Sequence, residues 1–284
     1  MNELKQVIAP KTIPVMQEAF KQIEETSITW LAGASFLINA RGTIILIDPV
    51  LTTQPDDSRM SETGLKLLVD NPISARVIPK VDVVLYTHSD DDHLAAETAK
   101  ILSKLTPTFI GPPPVFEKLA KLNINPKNSV TCRTGDIYKF GEATIEIVPA
   151  DHPWQLLDLA KFGKPFRLGD CCGFIVTTPD ARSYFPGDTR LMEEHLAIKD
   201  LDVLALDASV CTYHLNHYNA VVLANTMKNA LLIPFHYGTY DEPDSLALNG
   251  DPEDIITHVN NGYNRFRYFA PGRSLKMKDK REIK

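Results

Sequence analysis

The stretch VVLYTHSDDDHL, Val83 to Leu94, constrains this chain more than any other. Its apolar opening is too short for a helix and reads as a strand buried in the middle of a sheet. It runs directly into two histidines and three aspartates. Carboxylates crowded at the mouth of a buried strand repel one another and lose hydration, so a bare cluster there is unfavourable. A bound cation removes the difficulty by turning the repelling groups into ligands. The remaining ligands must then come from elsewhere in the chain.

The flanking pattern says what kind of fold could supply them. SITWLAGASFLINARGTIILIDP reads as two or three strands, with Ala40-Arg41-Gly42 as a turn and Asp48-Pro49 as a stop. HLAAETAKILSKL has helical spacing of Leu94, Ile101, Leu102 and Leu105. Strand-like TFIG, helix-like VFEKLAKLN and strand-like EATIEIVPA follow, then the hairpin CGFIVTTPDARSYFPGD. DVLALDAS and ALLIPFHYG read as strands on either side of the helix AVVLANTMKNA. Two mixed blocks of this kind make an α/β protein with helices covering sheets. GLKLLVD is expected as one short helix in an otherwise irregular segment from 52 to 80. VMQEAFKQIEE is amphipathic, so residues 1–26 are expected as a peripheral helical extension of a single domain spanning 1–284.

Composition excludes some classes of function. A formal net charge of −6 gives no basic footprint for nucleic acid. No apolar run is long enough to span a bilayer, and the opening residues lack the pattern of a signal peptide. Cys132, Cys171, Cys172 and Cys211 have no metal-ligand spacing and are expected as reduced, partly buried residues. A cytoplasmic protein is the simplest expectation.

Four apolar runs end on a histidine or an acid. The exits are His88 with Asp90, Asp92 and His93; His152 after IEIVPAD; Asp188 after YFPG; and His236 after LLIPF. Side chains two apart on an extended segment point the same way, so His88 and Asp90 can share one ion. Ligands from several strand ends converge at one rim, where open α/β sheets place their sites. The count suffices for two divalent ions, zinc or manganese, with iron as a third option. Spacing and chain order assign His88, Asp90 and His152 to one ion and Asp92, His93 and His236 to the other, with Asp188 bridging. His214 and His217 in CTYHLNHYNA are alternatives for a general acid, and Asp207 for a carboxylate that orients a ligating histidine.

THSDDDH resembles the His-x-His-x-Asp-His signature of the metallo-β-lactamase superfamily, and His152, Asp188 and His236 fall where its later ligands are expected. WLAGASFLI, IDPVL and PFHYGT are most similar to the branch holding ascorbate-6-phosphate lactonase and the N-acylphosphatidylethanolamine-cleaving phospholipase D. The resemblance implies a four-layer αβ/βα sandwich with metals at one edge. It also implies hydrolysis by a metal-bound hydroxide, with Asp92 in the catalytic centre, and self-association of the chain is reasonable on the same ground. Two positions depart from the pattern. Asp90 stands where the signature has its second histidine, and Gly33 where the branch tends to have one. Carboxylate is a harder ligand than imidazole, so Asp90 moves preference from zinc towards manganese or iron.

The substrate expected from sequence is a small, anionic lactone or phosphoester. Arg167 would meet its anion, with Trp154, Tyr237 and Tyr240 lining the pocket. A di-iron redox protein and a non-catalytic metal-binding module are the rival readings.

Overall fold

The computed structural model describes residues 6–53, 59–242 and 247–284. Six strands come first: β1 (Thr26–Trp30), β2 (Phe36–Ala40), β3 (Thr43–Ile47), β4 (Val83–Leu85), β5 (Thr108–Gly111) and β6 (Asn128–Thr131). Next come β7 (Ile137–Phe140), β8 (Ala143–Pro149), β9 (Cys172–Thr177), β10 (Arg182–Phe185), β11 (Val203–Asp207) and β12 (Leu231–Phe235), and the chain closes with β13 (Ser274–Lys278) and β14 (Arg281–Ile283). They form two sheets, ordered β14-β13-β1-β2-β3-β4-β5-β6 and β12-β11-β10-β9-β8-β7.

Alternation along each strand decides what faces what. Ile45, Ile47, Val83 and Leu85 point to one side of the first sheet. There they join Ile145, Ile147, Phe174 and Phe185 of the second sheet in a shared core. Ile44, Leu46 and Val84 point to the other side, where helices α1 (Ala96–Ser103) and α2 (Pro113–Lys121) cover them through Leu102, Val115 and Leu119. Short helix α3 (Leu159–Phe162) lies between β8 and β9 and α4 (Glu193–Ala197) follows β10, while α5 (Asn216–Thr226) packs on β11. Helix, sheet, sheet and helix thus stack as the four-layer αβ/βα sandwich expected from sequence.

Two local expectations fail. VMQEAFKQIEE forms only a 3-10 turn, Gln17–Phe20, in an extended segment. Within it Val15 N–H bonds Pro72 O, and Asn39 Nδ2–H donates to the carbonyls of Ala19 and Lys21; upstream, Ala9 N–H bonds Gly238 O and Ile13 N–H bonds Pro271 O. Pro10 and Pro14 also bring no donor of their own. Residues 1–5 of the expected extension lie outside the described residues. GLKLLVD likewise forms no helix, because Leu67 N–H bonds Arg59 O and Leu68 N–H bonds Thr239 O. Tertiary partners outcompete helical spacing in both cases.

Parallel pairing of β3 with β4, and of β10 with β11 and β11 with β12, sends their carboxyl ends to a common edge. The turn after β10 depends on Gly187, whose φ is +63° and whose added Cβ would lie 2.6 Å from Thr87 Cβ. Gly187→Ala is therefore expected to lower stability by about 2 kcal/mol, from left-handed strain and the clash together. Urea unfolding checks this, and an unchanged midpoint would refute it.

Candidate metal centre

The site is assembled from loops at the carboxyl ends of β3, β4, β8, β10, β11 and β12. Asp48 leaves β3 with φ +44° and His236 leaves β12 with φ +52°, a left-handed backbone that non-glycine residues seldom adopt. Lys118 of α2 braces the Ser89–Leu94 loop. Its Nζ donates to Ser89 O at 2.6 Å, Asp91 Oδ1 at 2.7 Å and Leu94 O at 2.9 Å. Asp91 is accordingly an exposed carboxylate paired with Lys118, at the edge of the cavity in front of the histidines.

Each of four imidazoles is held by its Nδ1. His93 Nδ1–H donates to Asp48 Oδ2 at 2.8 Å, and His214 Nδ1–H to Asp207 Oδ2 at 2.8 Å. His152 Nδ1–H donates to Tyr213 O at 2.9 Å. Thr87 gives its hydroxyl proton to Asp48 Oδ2 at 2.6 Å and accepts from His88 Nδ1–H at 3.0 Å. The four Nε2 atoms turn inward, lone pairs available, towards one carboxylate. Asp188 Oδ2 lies 3.1 Å from His93 Nε2, 3.5 Å from His214 Nε2, 3.8 Å from His152 Nε2 and 4.0 Å from His88 Nε2. His236 Nε2 is 2.9 Å from Asp188 Oδ1.

Two overlapping groups result, with ligand atoms within 4.8 Å of one another: His88, His152 and Asp188, and Asp92, His93, Asp188 and His236. Asp90 joins the first, its Oδ2 3.3 Å from His88 Nε2 and 3.6 Å from His152 Nε2. Asp188 is common to both. Asp207, His214 and His236 form a third group on the same rim.

The donor set suits divalent cations. Buried His88 Nε2, His93 Nε2 and Asp92 Oδ2 have no hydrogen-bond partner, a cost of about 1–3 kcal/mol each unless an ion takes their lone pairs. Imidazole and carboxylate at these positions fit zinc, manganese or iron.

The electrostatics of the metal-free cluster are strongly coupled. Burial opposes ionisation of Asp188, yet the imidazoles of His214, His93 and His236 hold it well below the usual carboxylate range. Burial likewise opposes charge on His93, but Asp188, Asp92 and Asp48 outweigh it and raise its pKa well above the ordinary value. His214 and His236 are raised against the same penalty, chiefly by Asp188. Burial lowers His88, reinforced by His93. Asp90 is depressed despite burial by His88 and His152.

Four other sequence expectations are corrected. His217 points elsewhere, with Nε2 3.0 Å from Ala208 O and Nδ1 3.7 Å from Asp254. Tyr237 is a core residue, stacked on Trp30 at 4.7 Å with its hydroxyl donating to Phe269 O. Tyr240 is buried over Gly33, where an added Cβ would meet its Oη at 3.0 Å, so its ring fills the space beside that glycine. Arg167 is exposed, its backbone N–H donating to Asp170, and it does not line the cavity in front of the histidines. Trp154 does line it, and its Nε1–H donates to Asp90 Oδ2 at 2.6 Å.

Sequence reasoning missed Asp48, Thr87 and Lys118. Asp48 carries the clearest consequence. Asp48→Ala leaves the His93 ring unanchored and is expected to cost 10–100-fold in metal affinity, as orienting carboxylates commonly do (about 1.4–2.7 kcal/mol). Competition against a chromophoric chelator measures this, and wild-type affinity would refute it. Of the cysteines, Cys132, Cys171 and Cys172 are buried, and the Sγ atoms of Cys132 and Cys172 lie 4.0 Å apart, unbonded. Cys211 is the exception, half-buried and facing the cavity.

The comparison with known proteins fits this geometry. The model of the β-lactamase superfamily domain matches residues 43–237, more than half of the chain. The chain belongs to the β-lactamase superfamily. Within the superfamily it is 26% identical to a UPF0173 metal-dependent hydrolase of Koribacter versatilis, over 84% of this chain and 93% of that one. To a UPF0173 metal-dependent hydrolase of Carboxydothermus hydrogenoformans it is 29% identical, covering 75% and 85%. Its fold matches that of Igni18, a metallo hydrolase from Ignicoccus hospitalis, with a TM-score of 0.62 at 19% identity, covering 88% of this chain and 97% of the other. None of the described helices is long and apolar enough to cross a membrane.

Proposed function

We propose that the chain is a metal-dependent hydrolase that cleaves an ester-type bond, a lactone or phosphoester, with two divalent ions held by His88, Asp90, His152, Asp92, His93 and His236 and shared through Asp188. The observation that carries this reading is the inward convergence of Nε2 atoms whose Nδ1 partners are fixed behind them. Bound there, the ions would supply Lewis acidity and a water acidic enough to act near neutral pH.

The protein's own groups do the rest. Asp48, Thr87, Tyr213 O and Asp207 fix the tautomers, so the donor atoms are presented without reorganisation. Asp92, beside His93 on the cavity wall, would take the proton of the attacking water. His214, backed by Asp207 and opening onto the cavity, would return a proton to the leaving oxygen. His217 is not, since its ring is held by Ala208 O.

The test is turnover of a panel of lactones, carboxylic esters and phosphodiesters by the metal-loaded protein. Activity should vanish with chelator and return with manganese or zinc. Inertness of fully loaded protein across the whole panel would sink the reading.

A further inference from the structure

We infer that the molecule this site takes is uncharged away from the reacting bond, with an apolar arm resting on Leu65, Trp154, Leu157 and Leu248. The inference rests on the hydrolase reading above and narrows its substrate class, against the anionic substrate that sequence alone suggests.

The cavity in front of the histidines measures about 410 Å³, room for a small organic molecule. Among the described residues, no lysine or arginine lines it. Residues 243–246, between its lining residues Glu242 and Ala247, read Pro-Asp-Ser-Leu and add no cation. Basic residues near the lining in sequence or in space are engaged or turned out: Lys66, next to Leu65, is paired with Asp241 at 2.8 Å, and Arg190 with Asp151 at 2.5 Å. Lys118 is committed to Asp91 and two carbonyls, Lys161 lies over the Phe162 ring at 4.8 Å, and Arg167 is exposed outside the cavity.

Charge balance points the same way. Asp48, Asp90, Asp92, Asp188 and Asp207 stand in or behind the cluster, and Glu242 on the wall. Two divalent ions bring four positive charges against these six carboxylates. A second anion on the substrate would join a surplus of negative charge that one protonated His214 does not cancel, in a partly desolvated place lined by no lysine or arginine among the described residues.

The apolar surface, by contrast, is in place. Leu157 is 62% exposed at the cavity mouth. Trp154 is fixed by its bond to Asp90 and by packing on Phe162 at 4.7 Å, so its ring needs no ordering on binding. Such a wall rewards methylene groups.

The experiment compares matched series on metal-loaded protein. Alkyl esters with four- to eight-carbon acyl chains are assayed beside the same esters ending in a carboxylate. In parallel, calorimetry measures binding of the corresponding uncleaved amides, neutral and carboxylate-terminated. We expect kcat/KM, and amide affinity, to rise by about threefold per methylene in the neutral series. A terminal carboxylate should cost about tenfold or more. Leu157→Arg, at an exposed position, should lessen that penalty and flatten the chain-length dependence.

The two readings separate cleanly. If the neutral amides bind with the expected chain-length dependence while neither these esters nor any lactone or phosphodiester of the panel is cleaved, the hydrolase reading fails and the apolar ligand class stands. If esters are cleaved but carboxylate-terminated members do as well as neutral ones, the ligand class is wrong and the hydrolase stands. A flat dependence on chain length, or no amide binding at all, also overturns the inference.

Discussion

Asp188→Asn is expected to strip the protein of bound metal and to cut turnover by about a thousandfold or more. One carboxylate here faces five imidazoles, with Oδ1 on His236 and Oδ2 within 4.0 Å of the Nε2 atoms of His93, His214, His152 and His88. An amide offers one oxygen and one N–H in its place, so at least one group of histidines would meet a donor where it needs an anion. Losing the charge stabilisation the ions supply, several kcal/mol, corresponds to the stated drop in rate. Metal-to-protein ratio by elemental analysis gives the first readout and turnover the second. Breaking a buried ion pair costs about 3–5 kcal/mol, so circular dichroism is needed to show that the variant is folded. Asp91→Asn, which alters an exposed carboxylate paired with Lys118, controls for loss of charge nearby. A folded Asp188→Asn protein that retains its metal would remove Asp188 from the centre of the site.

How much of this was legible in the sequence follows from what each signal measures. Buried strands such as Val83–Leu85 and Val203–Asp207 announce themselves, because a residue covered on both sides of a sheet must be apolar whatever its neighbours. The exits His88, Asp90, Asp92, His93, His152, Asp188 and His236 are legible because a titratable residue straight after such a run is costly without a partner. Partnerships made across the fold leave no local trace. Asp48 reads as a strand stop, and only the parallel pairing of β3 with β4 shows it beside Thr87 and His93. Lys118 reads as one more lysine on an amphipathic helix. His214 and His217 are three residues apart near the start of α5, and nothing local says that one faces Asp207 and the other Ala208 O. Tyr237 was not legible either, because His236 leaves β12 in a left-handed backbone, φ +52°, where the alternation of an extended chain no longer says which way the next side chain points. The N-terminal segment misled for the opposite reason, because its helical spacing was real but Val15 N–H was claimed by Pro72 O and the Ala19 and Lys21 carbonyls by Asn39.

Stability should depend on pH with opposite slopes in the metal-free and metal-loaded protein. In the metal-free state His93, His214 and His236 are raised above their ordinary values, burial resisting and Asp188 prevailing. A raised histidine stabilises fully below its unfolded value, about 6.5, and that contribution is lost as pH climbs through the folded value. Asp188 and Asp90 are depressed, burial again resisting and the imidazoles prevailing. Their contribution is present above about 4 and fades as pH falls towards their folded values. His88, lowered mainly by burial, works against the other histidines, but it is one against three. Chelated protein should therefore be most stable between about pH 4 and 6.5 and lose stability towards pH 8, at up to about 1.4 kcal/mol per pH unit for each extra proton the folded state retains. Bound cations compete with protons for the same nitrogens, so metal affinity grows as pH rises. Saturation at about a thousand times Kd adds about 4 kcal/mol. The gap in Tm between loaded and chelated protein should widen from pH 6 to pH 8, by about 2–4 °C for each kcal/mol. Differential scanning fluorimetry across that range measures both curves. Parallel curves would mean that these histidines are not where protons and metal compete.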